Sequence, residues 1–194
     1  RVEKLTGRIA AQTSSALICV MKEIIEYQRE VRKLPIDFPI FLYPNGVIVE
    51  RIPTIKDTVK NVDQIEIGFI AGTFAPWHGL DILLDEFIKY NEKISEEKII
   101  LNLIGKVDSK NKLKSLKINN LNCNVKVIIH GRLDQKEYQK ILSKCNLGIG
   151  SLAMYRTGVK EGATLKVREM LAMGLPVYSG HADTALPKDF PFYK

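Results

Sequence analysis

Two carboxylates and one ammonium lie within EGATLKVRE, where Glu161 and Glu169 stand eight positions apart with Lys166 between them. A carboxylate accepts hydrogen bonds from a pair of vicinal hydroxyls, which is the chemistry of ribose or hexose recognition. A lysine at a helix start adds its charge to free backbone N–H groups and to the positive end of the helix dipole, a combination suited to phosphate. The spacing alone says little, because thirteen glutamates in 194 residues give about one such pair by chance. Position says more. Glu161-Gly162 reads as a strand-to-helix loop that also carries Lys160, and Glu169 lies about two turns into the helix that follows. Plainer roles exist: Glu169 pairing with a nearby Lys or Arg on a solvated face, and Lys166 facing solvent.

A second candidate is GTFAPWHGLD, residues 72–81. Gly72 permits a close backbone approach, and Gly79 precedes the free N–H groups of another helix start. His78 can offer a hydrogen bond, or a positive charge beside an anion. Trp77 reads as a packing residue. The turn lacks G-x-G-x-x-G, and no acidic residue ends the second strand, which argues against a dehydrogenase. Arg132, in HGRLD, contacts a base or phosphate or pairs with a neighbouring acid; His130 is a sheet residue. No Ser/His/Asp or Cys/His set with a nucleophile context is present. Cys19, Cys123 and Cys145 form no Cys-x-x-Cys pair, and with His78, His130 and His181 they show no zinc spacing. That predicts reduced cytosolic thiols and no metal.

The elements that must carry these residues follow from periodicity. ALICV (16–20) and PIFLY (39–43) read as strands. Met21, Ile24, Tyr27, Val31 and Leu34 lie at helical spacing between them. Pro44-Asn45-Gly46 makes a turn, and residues 47–63 read as a connector. The pattern then becomes regular, with strands at 65–72, 99–105, 125–131, 147–152 and 176–179. Between them lie helices whose apolar faces include Leu80, Leu83, Leu84, Phe87 and Ile88, or Val167, Met170 and Leu171. A Lys-rich segment (108–119) is another helix, and Asp134 with Glu137 is a capping pair. Strands that are apolar throughout and alternate with helices predict an α/β fold, a Rossmann-like parallel sheet with helices on both faces. Such sheets bind ligands beyond the carboxyl ends of their strands, which here are residues 72–79, 105–108, 131–134, 151–162 and 179–183.

The apolar content of 45% supports a core, and no apolar run is long enough to span a membrane. The net charge of +7 fits a Lys-rich surface, an anionic substrate or anionic headgroups. It is spread along the chain with no basic stripe interleaved with aromatics, which argues against nucleic acid.

Five segments in order, YPNGV (43–47), GTFAPWHGLDILLDEF (72–87), LIG (103–105), HGRLDQKEYQKILSKCNLGIGSL (130–152) and EGATLKVREMLAMGLPV (161–177), together resemble the C-terminal half of a GT-B glycosyltransferase of family 4. The resemblance implies a retaining transferase that takes a sugar from a nucleotide-diphosphate donor without a metal or other cofactor. It implies that residues 1–43 are the last elements of an N-terminal acceptor domain. Residues 44–194 would be the nucleotide-sugar donor-binding domain, short at its C-terminus. Glu161 would contact the donor sugar as the catalytic-face carboxylate, and Glu169 the ribose hydroxyls. Gly72, Thr73, His78, Gly79, Lys160, Gly162 and Lys166 would lie around the diphosphate and sugar, and the backbone at Arg132–Leu133 around the base. The partners implied are a nucleotide sugar, a glycan or lipid-linked acceptor and the missing N-terminal domain. The location implied is cytoplasmic, at the inner face of a bacterial membrane with peripheral contact to it. Thr73 and His78 depart from the Arg and Lys that many members carry there, so Lys160, Lys166 or Arg132 must supply charge to the diphosphate. Without its acceptor domain the chain is expected to bind donor but to transfer sugar poorly or not at all. Two other functions fit the same cleft: a nucleotide-sugar 2-epimerase-like enzyme and a non-catalytic nucleotide-binding module.

Overall fold

The computed structural model describes residues 2–55, 64–90, 97–121 and 124–194. Cys123 and the connector from 56 to 63 lie outside the described residues. The first elements are α1 (Val2–Thr13), β1 (Leu17–Cys19), α2 (Lys22–Arg32) and β2 (Ile40–Leu42). β1 and β2 pair with each other in parallel. ALICV reads as a buried strand, yet only Cys19 of β1 is buried, and Ile18 and Phe41 are 70% and 61% exposed. Two short strands have too few neighbours to bury both of their faces.

A second sheet holds the main core. Its elements are β3 (Gln64–Thr73), α3 (Leu80–Tyr90), β4 (Lys98–Lys106), α4 (Ser109–Asn120), β5 (Val125–Gly131), α5 (Gln135–Leu142), β6 (Leu147–Ile149), α6 (Leu165–Ala172) and β7 (Val177–Tyr178). The five strands lie in the order β5-β4-β3-β6-β7, and every pairing is parallel.

Side chains alternate across the sheet. Ile67, Phe69 and Ala71 of β3 join Leu101 and Leu103 of β4 in one cluster with Leu80, Leu84 and Phe87 of α3 and Ile118 of α4. Ile70 and Ile104 point the other way, against Leu142 of α5 and Val167 and Met170 of α6. Both faces are therefore covered, as a sheet of uninterrupted apolar strands requires. α5 opens with the expected reciprocal cap: Asp134 Oδ1 accepts from the Glu137 N–H, and Glu137 accepts from the Asp134 N–H, each at 2.9 Å.

Strand order reverses between β3 and β6. β3 is followed in the chain by β4, its neighbour on one side, whereas β6 lies on its other side. The loops after these two strands diverge and leave a crevice at the carboxyl edge. They are joined where the Leu152 and Ala153 amides donate to the carbonyls of His78 (2.9 Å) and Trp77 (3.2 Å) and where Arg156 donates to the Pro76 carbonyl (2.9 Å) and pairs with Asp81.

Candidate nucleotide-sugar site

Lys166 lies in the first turn of α6 and turns inward rather than toward solvent. Its ammonium nitrogen is buried and has no hydrogen-bond partner among the described residues. It rests 5.2 Å from the ring centre of Phe69 and 5.9 Å from that of Trp77. Aromatic faces attract a cation but do not replace its lost hydration. Burial accordingly brings its pKa down from 10.5 to about 7. A buried amine without a partner is uncommon, because burial costs the charged form its hydration.

The β3–α3 turn builds the opposite wall. Pro76–His78 forms a single 3-10 turn ended by Gly79 at φ 74. A side chain at position 79 would meet Leu152 Cβ at 2.8 Å, so glycine is required both for the backbone angle and for this contact. The Ala75 N–H donates to His78 Nδ1 at 2.9 Å. The neutral ring therefore carries its proton on Nε2. Burial, and then the charge of Lys166, lower the His78 pKa to about 4. Of the two roles open to His78, hydrogen-bond donation fits and a positive charge does not. Trp77 packs on it, with ring centres 3.7 Å apart.

Glu161 stands in the loop between β6 and α6. Its amide and that of Lys160 both donate to one oxygen of Glu23, at 3.0 and 2.7 Å. Gly162 N–H donates to the Ala182 carbonyl at 2.9 Å, and Thr184 donates to Glu161 Oε2 at 3.4 Å. A Cβ on Gly162 would collide with the His181 ring, so this glycine lets the loop lie against the imidazole. His181 Nδ1 lies 3.0 Å from the Ser151 carbonyl and 2.9 Å from the Ser179 hydroxyl. A carbonyl only accepts, so Nδ1 donates, and burial lowers the pKa of the ring. His181 Nε2 and the Ser151 hydroxyl are buried without partners.

Among the described residues, Glu169 pairs with no lysine or arginine. Neutral donors from α5 hold it: Tyr138 lies 2.9 Å from both oxygens, Gln139 Nε2 donates at 2.7 Å and Gln135 Nε2 at 3.2 Å. These three occupy the opening turns of α5, just beyond the carboxyl end of β5, so Glu169 is at the ligand edge of the sheet. Burial and the adjacent carboxylate push the Tyr138 phenol well above its ordinary pKa, so it remains a donor.

Arg132 reaches from the end of β5 to the end of β3, donating to the Gly72 carbonyl at 3.2 Å and the Thr73 hydroxyl at 3.1 Å. It pairs with no described acid, and its guanidinium lies where the two rims meet. The Leu133 side chain packs into the core beneath α5 and α6. Lys160 is exposed.

Arg168, two residues beyond Lys166, belongs to the support. It donates to Asp183 Oδ1 at 2.7 Å and to the Asn45 carbonyl at 3.1 Å. Asn45 Nδ2 in turn donates to the Ala163 carbonyl at 2.7 Å. The PNG turn, α6 and the loop after β7 are thereby tied into one frame. The sequence pointed to residues 179–183 as a ligand rim but singled out neither His181 nor Asp183. A Gly-His-Ala-Asp run after a strand was the available signal.

A family model described as glycosyl transferases group 1 matches residues 64–187, which include every element from β3 to β7. The chain belongs to this family. No curated protein sequence matches it at a significant level. Among solved structures, sucrose-phosphate synthase from Thermosynechococcus elongatus superposes with a TM-score of 0.66 at 16% identity, over 92% of this chain and 43% of that one. Anabaena HepE in complex with UDP gives a TM-score of 0.66 at 15% identity, over 100% and 53%. The pneumococcal O-GlcNAc transferase GtfA, in complex with UDP and GlcNAc, gives 0.57 at 15%, over 90% and 31%. The chain thus spans about half, or less, of these three structures. Its fold is that of GT-B glycosyltransferase domains. Among the described residues, no helix is long and apolar enough to cross a membrane, and no three His, Cys, Asp or Glu residues group as metal ligands would.

Proposed function

We propose that this glycosyltransferase domain holds a nucleotide-diphosphate sugar for a retaining, family 4-like hexosyl transfer to a glycan or lipid-linked acceptor. The observation that carries the reading is Lys166: an ammonium buried without a partner among the described residues, close enough to His78 and His181 to lower the pKa of both, in the first turn of α6. A diphosphate supplies the missing counter-charge. Its oxygens also suit the N–H groups of α6 and the Nε2–H of His78. Arg132, held across Gly72 and Thr73, provides the second cation that Thr73 and His78 do not.

Ribose is assigned to Glu169. Three donors of α5 crowd Oε1, while Oε2 shares only the Tyr138 hydroxyl, so a ribose hydroxyl meets open acceptor capacity at Oε2 and replaces a donor at Oε1. Gln135, exposed and most distant, exchanges first. Glu161 faces the sugar. As the bond to the diphosphate breaks, the leaving group gains negative charge and the sugar gains oxocarbenium character. Lys166 and the helix N–H groups stabilise the first, and Glu161 orients or stabilises the second. The transfer uses no metal. HepE and GtfA, which carry UDP in their structures, support UDP as the first nucleotide to test. Acceptor binding belongs to a domain preceding this one, of which residues 1–43 are the last elements. Transfer takes place at the cytoplasmic face of a membrane.

The test is calorimetry of the 194-residue chain with UDP and UDP-glucose, with other nucleoside diphosphates as comparison. Saturable one-to-one binding is expected. Absence of binding to every nucleotide diphosphate refutes the reading. Labelled donor plus acceptor should give no turnover with this chain alone, and robust turnover would show that residues 1–43 suffice.

A further inference from the structure

Glu23 lies in the first turn of α2, in the small N-terminal unit, more than 130 residues from the loop that its carboxylate binds. One oxygen, Oε2, accepts the Lys160 N–H at 2.7 Å and the Glu161 N–H at 3.0 Å. Successive N–H groups converging on one oxygen make a small anion-binding concavity. Charge-assisted bonds of this kind are about twice as strong as neutral ones.

The next residues are fixed from the other side. Gly162 N–H donates to the Ala182 carbonyl at 2.9 Å, and Ala182 N–H donates to the Lys160 carbonyl at 3.1 Å. Three consecutive amides of the loop therefore have partners, and Glu23 holds the first two. Removing its carboxylate leaves the head of the loop attached only through Ala182. The Glu161 backbone then keeps its parallel bridge to Ala182 but loses its bond from the N-terminal unit, and its side chain keeps only the 3.4 Å bond from Thr184 among the described residues.

We infer that Glu23 is a positioning residue for the donor sugar: its carboxylate clamps the Lys160 and Glu161 amides from the N-terminal unit and so fixes the direction of the Glu161 side chain. The inference rests on the donor-binding reading above and adds a link that the reading lacks. The segment on the acceptor side of the crevice sets the geometry of the carboxylate that meets the sugar.

The test compares UDP with UDP-glucose on the full chain. Glu23→Ala should weaken UDP-glucose about tenfold. UDP offers Glu161 no sugar, so its affinity should stay within about twofold, which also shows that the variant folds. Glu23→Gln keeps an acceptor oxygen and should recover part of the loss. In 1H–15N spectra of the free chain, the Lys160 and Glu161 amide signals should shift upfield in Glu23→Ala. Unmoved signals, or UDP-glucose affinity equal to or tighter than that of the unaltered chain, overturn the inference; tighter binding would mark Glu23 as a plug in an anion site. If the unaltered chain binds neither ligand, the donor-binding reading fails, and the sugar-positioning role of Glu23 falls with it.

Discussion

Lys166→Met separates the amine's effect on stability from its effect on binding. Methionine is unbranched and of similar length, so it keeps the apolar contacts with Phe69 and Trp77 while removing the charge. In the folded chain the amine releases its proton near pH 7 instead of 10.5. At about 1.4 kcal/mol per tenfold, that difference amounts to about 5 kcal/mol. The sign follows from proton counting. Between pH 7 and 10.5 the unfolded chain holds this proton and the folded chain does not, so stability rises with pH. The penalty is complete below pH 7 and gone above 10.5. Urea unfolding should therefore show Lys166→Met more stable than the unaltered protein by up to about 5 kcal/mol at pH 6, with the gap closing to about 1 kcal/mol at pH 10. The same variant should bind UDP at least about tenfold more weakly. At pH 8, UDP binding to the unaltered chain should take up close to one proton, because the diphosphate holds the charge on the amine; calorimetry in buffers of different ionisation enthalpy measures this. Stability profiles that run parallel from pH 6 to 10 would refute the argument that this nitrogen is buried and unpaired.

Other substitutions test the remaining walls of the site. His78 is held at a pKa of about 4 against 6.5, so the unfolded chain takes up its proton first as pH falls. Stability should drop by about 3 kcal/mol from pH 6.5 to 4, and His78→Asn should remove most of that dependence in thermal unfolding. Asp183→Ala should destabilise by about 3–5 kcal/mol by leaving Arg168 unpaired, since their side chains are only 0% and 10% exposed; a change below about 1 kcal/mol in urea unfolding would mean that water reaches the pair. Glu169→Ala should lower UDP affinity about tenfold to a hundredfold in calorimetry, and an unchanged affinity would remove its ribose role.

The sequence by itself determined the main sheet. Apolar runs such as IILNLIG, alternating with helical spacing in DILLDEF, can be buried only as parallel strands covered on both faces, and the order of the five family-like segments located the crevice. Local chemistry also set the Asp134–Glu137 cap, because both partners lie within one helical turn. α1 had no comparable signal: its Leu5 and Ile9 remain exposed, and the helix is held by contacts with α2, including Gln12 to the Arg32 and Lys33 carbonyls. Tertiary structure alone decided the state of each site residue. Spacing placed Lys166 at a helix start, but only packing against Phe69 and Trp77 turned it inward and stripped its hydration. Spacing paired Glu161 with Glu169, but residues far along the chain gave the first a clamp from Glu23 and the second a ring of neutral donors from α5. Hydrophobic periodicity is set by near neighbours in sequence, whereas the charge and direction of a polar group depend on which atoms replace its water, and those come from elsewhere in the fold.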